Sequence, residues 1–361
     1  MARRALILNF TADTYHWGCF GTATEVYDSL VERGYSVATM SVHQTHGFTP
    51  SPATFDEMND PAFRRSACDA NPILTDALRE ADVVVVNGEG TLHRSHPAPR
   101  NLLFLMHLAR HHFGKPVHLI NHSFFPSGST DASAELDPMY RAVAVGLARV
   151  VPREALSLGV HRRLGIEAVQ GFDCLPRFIA RHRERLTLTR NHRGPLLLSG
   201  GVNFTPDTSR QISRAAAGCR EPGQRVVYLT GARSQPARED TAIYGFMKAD
   251  IPDLECFDAA TMNDWLDAIA SAQCLVSGRF HHTLAAAMLG TPAAAFPSNT
   301  PKLQAACEML GLNAPLTFDD PETDARLVQF VESARSGHAR VITDATRQQV
   351  LVLAEANFTG L

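Results

Sequence analysis

Two doubly wound, Rossmann-like α/β domains facing a cleft are what this sequence predicts, and three observations lead there. Short apolar or β-branched runs alternate with amphipathic stretches through most of the chain, the pattern of a mainly parallel sheet covered by helices. The alternation lapses once, at an Arg- and His-rich segment, and then restarts. The length of 361 residues also exceeds what one ordinary core serves.

The elements follow in order. "ALILNF", "GTATEVYDSLVERG" and "YSVATMSV" read as strand, helix, strand. "ADVVVVNGEG" precedes the helical "PRNLLFLMHLARHHFG", and "KPVHLINHSFF" resumes a strand. "ARVVPR" leads into "EALSLGVHRRLG", and "AVQGFD" closes the first half. This half is expected to be an N-terminal α/β domain over residues 1–176, with 177–194 as linker. "PLLLSGG", "RVVYLTG", "LECFD", "QCLVSG" and "TPAAAF" are the strands expected of a second domain over 195–340. A closing helix over 341–361 places Val350, Leu353 and Ala354 on one face. No short repeat period is visible, which argues against a solenoid.

Composition narrows the function classes. A formal net charge of -3 is that of neither a polyanion binder nor an acidic tail, so no nucleic-acid partner is expected. The seven cysteines show no CxxC pair or finger spacing and read as reduced thiols of a cytoplasmic protein. The apolar run after "MARR" is too short for a signal peptide, and no run approaches the roughly 18 residues of a membrane span. Membrane contact is then peripheral only.

Ligands of open parallel sheets bind beyond the carboxyl ends of the strands, so the loops after strands are searched first. In "SGRFHHTLAAAMLG", Arg279, His281 and His282 crowd the start of a helix, with Ser277 or Gly278 as its cap. A helix N-terminus exposes unpaired N–H groups and partial positive charge, so cations there either point into water or surround an anion. Arg153 also follows a strand and precedes a helix; it pairs either with Glu154 or with a ligand in the cleft. Lys302 stands at a third such position. Gly18, Gly21 and Thr22 follow the first strand, with Thr22 or Thr24 as a helix cap; they allow backbone approach to an anion, and ordinary turn chemistry explains them as well.

In "VVVVNGEGTLH", Gly88 and Gly90 turn the chain off a strand and put Glu89 at its end, as a base, a holder of sugar hydroxyls, or a solvated turn residue. His93, His122 and Ser123 are further cleft-lining candidates on the acceptor side. Seven of the sixteen histidines fall between His93 and His122. His107 and His111 have helical i, i+4 spacing, but without a third ligand they read as a helix end, and no metal is expected. Neither a GxGxxG fingerprint, a Walker lysine nor a GxSxG elbow is present.

With these residues in place, the chain resembles the polysaccharide pyruvyl transferase family through most of its length. "HWGCFGTATEVYDSL" resembles the family's glycine-bearing amino-proximal loop, "VVVVNGEGTLH" its strand and glycine-rich turn, and "GKPVHLINHSFFP" its next strand. "RVVPREALSLGVHRRLGIEAVQGFDCLP" is similar to its strand, Arg, Ser and distal Asp series. The block from "AIASAQCLVSGRFHH" to "KLQAACEMLGL" holds its Arg-x-His, Gly-x-Pro turn and downstream Lys. The glycine triplet is "GEG" here, and no aspartate follows the glycine of the first loop.

The resemblance implies a two-domain GT-B fold and an enzyme that moves pyruvate from phosphoenolpyruvate onto two sugar hydroxyls as a cyclic ketal. The acceptor would be a cell-surface glycan or its lipid-linked precursor, reached in the cytoplasm or at the inner membrane surface. No cofactor is implied beyond the phosphoenolpyruvate donor. Arg279 and His281 match the catalytic Arg-x-His, and Arg153 the first-domain arginine. The chemistry suits the residues: Arg153, Arg279, Lys302, Gly278 and helix N–H groups hold the donor's phosphate and carboxylate, and protonated His281 protonates the methylene carbon. Glu89 or His122 then accepts hydroxyl protons. A GT-B glycosyltransferase using a nucleotide sugar is the alternative, and a noncatalytic glycan- or anion-binding protein the third reading.

Overall fold

A computed structural model describes residues 2–14, 16–182, 193–231 and 238–361. The chain divides into two compact units, residues 1–13, 22–174 and 351–361 in the first and 14–21 and 175–350 in the second.

The first unit holds β1 (Arg4–Phe10), β2 (Ser36–Ser41), β3 (Val83–His93), β4 (Val117–Phe125) and β5 (Arg149–Pro152), in the order β2-β1-β3-β4-β5. All four pairings are parallel. Successive residues of a strand face opposite sides, and here both sides are apolar. Leu6, Leu8, Val84 and Val86 enter one core, while Ala5, Ile7, Val83 and Val85 enter another. The second unit holds β6 (Leu196–Gly201), β7 (Val226–Leu229), β8 (Glu255–Phe257), β9 (Cys274–Gly278) and β10 (Ala293–Ala295), ordered β10-β9-β6-β7-β8 and again parallel throughout. Its sheet packs through Leu196, Leu198, Val226, Tyr228, Cys274 and Val276.

Strand order fixes where ligands go. In each sheet the side on which successive strands are added changes once, between β1 and β3 in the first and between β6 and β9 in the second, and such switch points open a crevice at the strands' carboxyl ends. Glu89 lies beside the first switch point and Arg279 beside the second.

Several expected boundaries move. The helix after β1 begins at Trp17, so the glycine-bearing stretch is helix rather than loop, and its first turn counts with the second unit. Packing explains this: Gly21 is enclosed by Leu175, Phe178 and Met262. Residues 177–182 of the expected linker complete a helix, Leu175–His182, whose apolar face buries Phe178 and Ile179, and 183–192 lie outside the described residues. The expected terminal helix is present as Asp344–Glu355, with Val350 and Ala354 buried and Leu353 half-buried.

From Leu351 onward the chain belongs to the first unit, and Asn357 is the reason. Its side-chain oxygen accepts the Asn121 N–H at 2.8 Å, and its amide donates to the Phe172 and Ala354 carbonyls at 2.8 and 2.9 Å. Phe358 beside it joins the first unit's core. Asn357→Ala is expected to leave these buried groups without partners and cost about 2–3 kcal/mol, read as a lower urea midpoint at unchanged slope.

Candidate active site

β9 delivers its end to the carboxyl edge of the second sheet, and the chain turns at once into the helix Phe280–Leu289. Arg279 is the residue that makes the turn. It occupies the N-cap with extended backbone, and its N–H donates to Ser277 Oγ at 3.0 Å. The helix thus starts one residue later than a Gly278 cap implies and two later than a Ser277 cap implies, because the serine holds the arginine's amide instead of the helix's. The Arg279 side chain is buried, and its Nη2 donates to Asp240 Oδ1. That carboxylate is fully buried and also accepts Tyr228 OH at 3.0 Å and the Gly231 N–H at 3.1 Å. Burial and the Asp240 charge push the Tyr228 phenol well up, so it remains a donor.

His281 lies in the first helical turn, where Gly18 packs against its side chain; a Cβ at Gly18 would stand 2.1 Å from His281 Cβ. Cys19 Sγ lies 3.8 Å from His281 Nδ1. His16 sits at the same edge, its Nδ1 3.1 Å from the Gly231 carbonyl. Burial first and the Arg279 charge second lower His16 to about 4. His282 faces the core instead. It accepts the Trp265 indole N–H at 3.3 Å, and burial holds it neutral, well below the usual imidazole range. Lys302 opens the helix after β10, the strand next to β9, with its Nζ 2.9 Å from Asn299 Oδ1. The loops after β6 and β10 are tied together by Asn203 donating to the Ser298 carbonyl at 2.9 Å.

In the first unit, the carboxyl edge carries a connected polar layer. Asn9, Glu89 and Asn121 all have positive φ, at 58°, 40° and 48°, where β1, β3 and β4 shift register. Asparagine tolerates this conformation; glutamate adopts it at a cost of order 1–3 kcal/mol, a strain that gathers at functional sites. Glu89 is held there by Thr11 Oγ1 and by Asn87 Nδ2 at 3.1 Å, both donating to its Oε1. Asn9 and Asn121 in turn donate to the Asn87 carbonyl and side-chain oxygen, each at 2.7 Å.

Arg153 is buried, and the local ion pair with Glu154 does not form. Glu154 instead caps the helix Ala155–Arg163 by accepting the Ser157 N–H at 2.7 Å. Arg153 Nη1 donates to Asp173 Oδ2 at 2.8 Å and its Nε to Ser123 Oγ at 3.1 Å. Thr22, expected near an anion or as a helix cap, lies inside its helix and donates to Asp173 Oδ1 at 3.0 Å. His122, expected to line the site, is turned inward. Its Nε2 shares a hydrogen bond with His161 Nε2 at 2.8 Å, and burial holds His122 well below the usual range and His161 down to about 3. Gly88 accommodates it, since a Cβ there would stand 2.4 Å from His122 Cβ. His93, at the end of β3, is 2.8 Å from the Gly90 carbonyl and stacks edgewise near His96. His107 and His111 face each other at 4.5 Å beside Phe55, as a helix end does.

The family model for polysaccharide pyruvyl transferase matches residues 38–300, which include β3 to β10, Arg153 and Arg279. The chain belongs to the polysaccharide pyruvyl transferase family. A search of curated proteins finds no significant match. Among solved structures it is similar to the UDP-GlcNAc 2-epimerase from Neisseria meningitidis bound to UDP-GlcNAc (TM-score 0.60, 10% identity, 98% of each chain). It is also similar to sucrose-phosphate synthase from Thermosynechococcus elongatus (0.59, 14%, 98% of this chain and 96% of that one) and the UDP-GlcNAc 2-epimerase from Methanocaldococcus jannaschii (0.56, 12%, 97% and 99%). At these identities the likeness is one of fold, and the fold is GT-B.

Sequence reasoning missed Asp240, Tyr228 and His16. Asp240 lies 39 residues before its arginine, and nothing local distinguishes it from other helix-start carboxylates. Gly18→Ala, which in an ordinary helix would stabilise by about 1 kcal/mol, is expected to displace His281 and abolish turnover with the circular dichroism spectrum unchanged. Acid sensitivity follows from the histidines. An unfolded imidazole takes its proton near pH 6.5, the folded His16, His107 and His118 only at about 4 and His161 at about 3. The unfolded state therefore binds more protons in that window, and stability is expected to fall as pH drops from about 6.5 toward 4, measured as a declining Tm.

Proposed function

We propose that this chain transfers pyruvate from phosphoenolpyruvate to two hydroxyls of one sugar, in a cell-surface polysaccharide or its lipid-linked precursor, as a cyclic ketal. The reading rests on one arrangement, the pairing of Arg279 with His281 at the helix start beside the second sheet's switch point. A fixed guanidinium and the positive end of the Phe280–Leu289 helix dipole suit the donor's phosphate or carboxylate, with Lys302 adding charge; Gly278, expected at the donor, packs against Phe204 and Gly201 instead, where a Cβ would stand 2.9 Å from Gly201 Cα. Arg153, oriented by Asp173 and Ser123, is assigned to the donor as well.

Protonated His281 gives its proton to the donor's methylene carbon as a sugar hydroxyl bonds to the adjacent carbon. The bond from that carbon to the phosphate oxygen then breaks, and the second hydroxyl closes the ring. In the net reaction one hydroxyl proton ends on the new methyl group and the other on the released phosphate. Glu89 accepts hydroxyl protons and, with Ser123 and His93, holds the acceptor. His122 is reassigned from base to support, because its Nε2 is engaged by His161 inside the core. The reaction is assigned to the cytoplasm, at the inner membrane surface where the acceptor is lipid-linked. No helix of the described residues is long and apolar enough to cross a membrane.

Calorimetric titration tests the donor. Phosphoenolpyruvate is expected to bind and a nucleoside diphosphate is not; the reverse result would support a nucleotide-sugar glycosyltransferase. With an acceptor glycan, His281→Ala is expected to lower kcat by about 10²–10⁴ while donor affinity changes little. Arg279→Lys is expected to weaken donor binding itself, since a point charge does not replace the planar fork. Mass spectrometry of the glycan for an added pyruvyl ketal reads the product.

A further inference from the structure

We infer that His16 is a charge-compensating member of the donor site, neutral in the free protein and protonated when the anionic donor binds. The inference rests on the donor reading above and adds a residue and a proton to it.

Gly231, at the end of β7, is the hub. Its N–H donates to Asp240 Oδ2, its carbonyl lies 3.1 Å from His16 Nδ1, and its Cα packs so close to Arg279 that a Cβ would stand 2.9 Å from Nε. The imidazole, the carboxylate and the guanidinium are three spokes on one residue. His16 Nδ1–H donating to the carbonyl is compatible with both charge states of the ring, since only Nε2 gains the second proton.

Charge accounting supplies the motive. Arg279 is paired with a fully buried carboxylate, so the two together bring no net charge to a ligand that carries both a phosphate and a carboxylate. The groups that act on His16 are Arg279, Asp240 and His281. His282 also senses it, but is itself neutral and occupied by Trp265. In the free protein burial and Arg279 outweigh Asp240, and the ring is uncharged. A multiply negative ligand on Arg279 reverses the local field, and the His16 imidazole can respond with a full positive charge near neutral pH.

The test is calorimetric titration of the intact protein with phosphoenolpyruvate at pH 7 in several buffers of different ionisation enthalpy, which gives the protons taken up per donor bound. His16→Asn keeps an N–H for the Gly231 carbonyl and cannot titrate, and equal Tm values establish that it folds. The wild type and His281→Gln are both expected to take up a proton that His16→Asn does not. Between about pH 5 and about pH 7, log Kd in the wild type is expected to rise with pH more steeply than in His16→Asn, by a slope approaching one. The donor's own ionisation is common to both proteins and cancels. As a direct readout, the His16 ring resonance, identified by its loss in His16→Asn, is expected to move to the protonated position on donor addition. Binding with identical proton uptake and identical slopes in the wild type and His16→Asn overturns the inference and leaves the donor reading standing. Failure of phosphoenolpyruvate to bind the wild type overturns both.

Discussion

A guanidinium cannot be buried without a partner, and this constraint organises both units. Stripping an arginine of water costs several kcal/mol, recovered only when a carboxylate meets it and other donors occupy the carboxylate's remaining lone pairs. Arg279 meets Asp240, which is further held by Tyr228 and the Gly231 N–H. Arg153 meets Asp173, which is further held by Thr22. The two constructions use different elements to the same end: an arginine whose orientation is set before any ligand arrives. A long, flexible side chain loses much rotamer freedom when it grips a ligand, and here that loss is taken during folding. A buried ion pair contributes little net stability, so its value lies in orientation.

The first sheet shows how backbone conformation serves the same purpose. β1, β3 and β4 all shift register near their carboxyl ends, and at each shift a non-glycine residue takes a positive φ. Two of them are asparagines, whose side chains tie the neighbouring strand. The third is Glu89, which has no intrinsic preference for that conformation. Asn87 binds both its own neighbours and Glu89, so the strain at Glu89 is held by the asparagine layer. Asn357 fastens that layer from the other end of the chain through the Asn121 N–H.

The alternation of strands and helices was legible because it is local: each strand needs only its own apolar residues and each helix its own period. Arg279 and His281 were legible for the same reason, as cations next to a strand end in sequence are next to it in space. Asp240, Tyr228 and Asn357 were not, because their partners are remote in the chain and a sequence shows only adjacency. The glycines misled differently. Gly18 and Gly21 read as a loop because glycine is common in loops, yet both sit in helix, cleared of side chains for His281 and for Leu175 and Met262. Arg153 beside Glu154 looked like a local pair. Glu154 went to the helix N-terminus because capping satisfies N–H groups that have no other partner, whereas Arg153 had Asp173.

The shared fold does not by itself select a donor, since the UDP-GlcNAc 2-epimerase from Neisseria meningitidis bound to UDP-GlcNAc has a similar one. The chemistry after β9 is what separates the readings. A nucleotide's ribose hydroxyls are donors that call for a carboxylate, and the helix Phe280–Leu289 contains none. What it has is an arginine at the cap and a histidine in the first turn, both disfavoured by the helix dipole unless an anion lies among them. Asp240 fixes the plane of the arginine, whose guanidinium carries five N–H donors. The combination suits a small, multiply charged ligand that needs several donors at close range, and this is why the proposed donor is phosphoenolpyruvate.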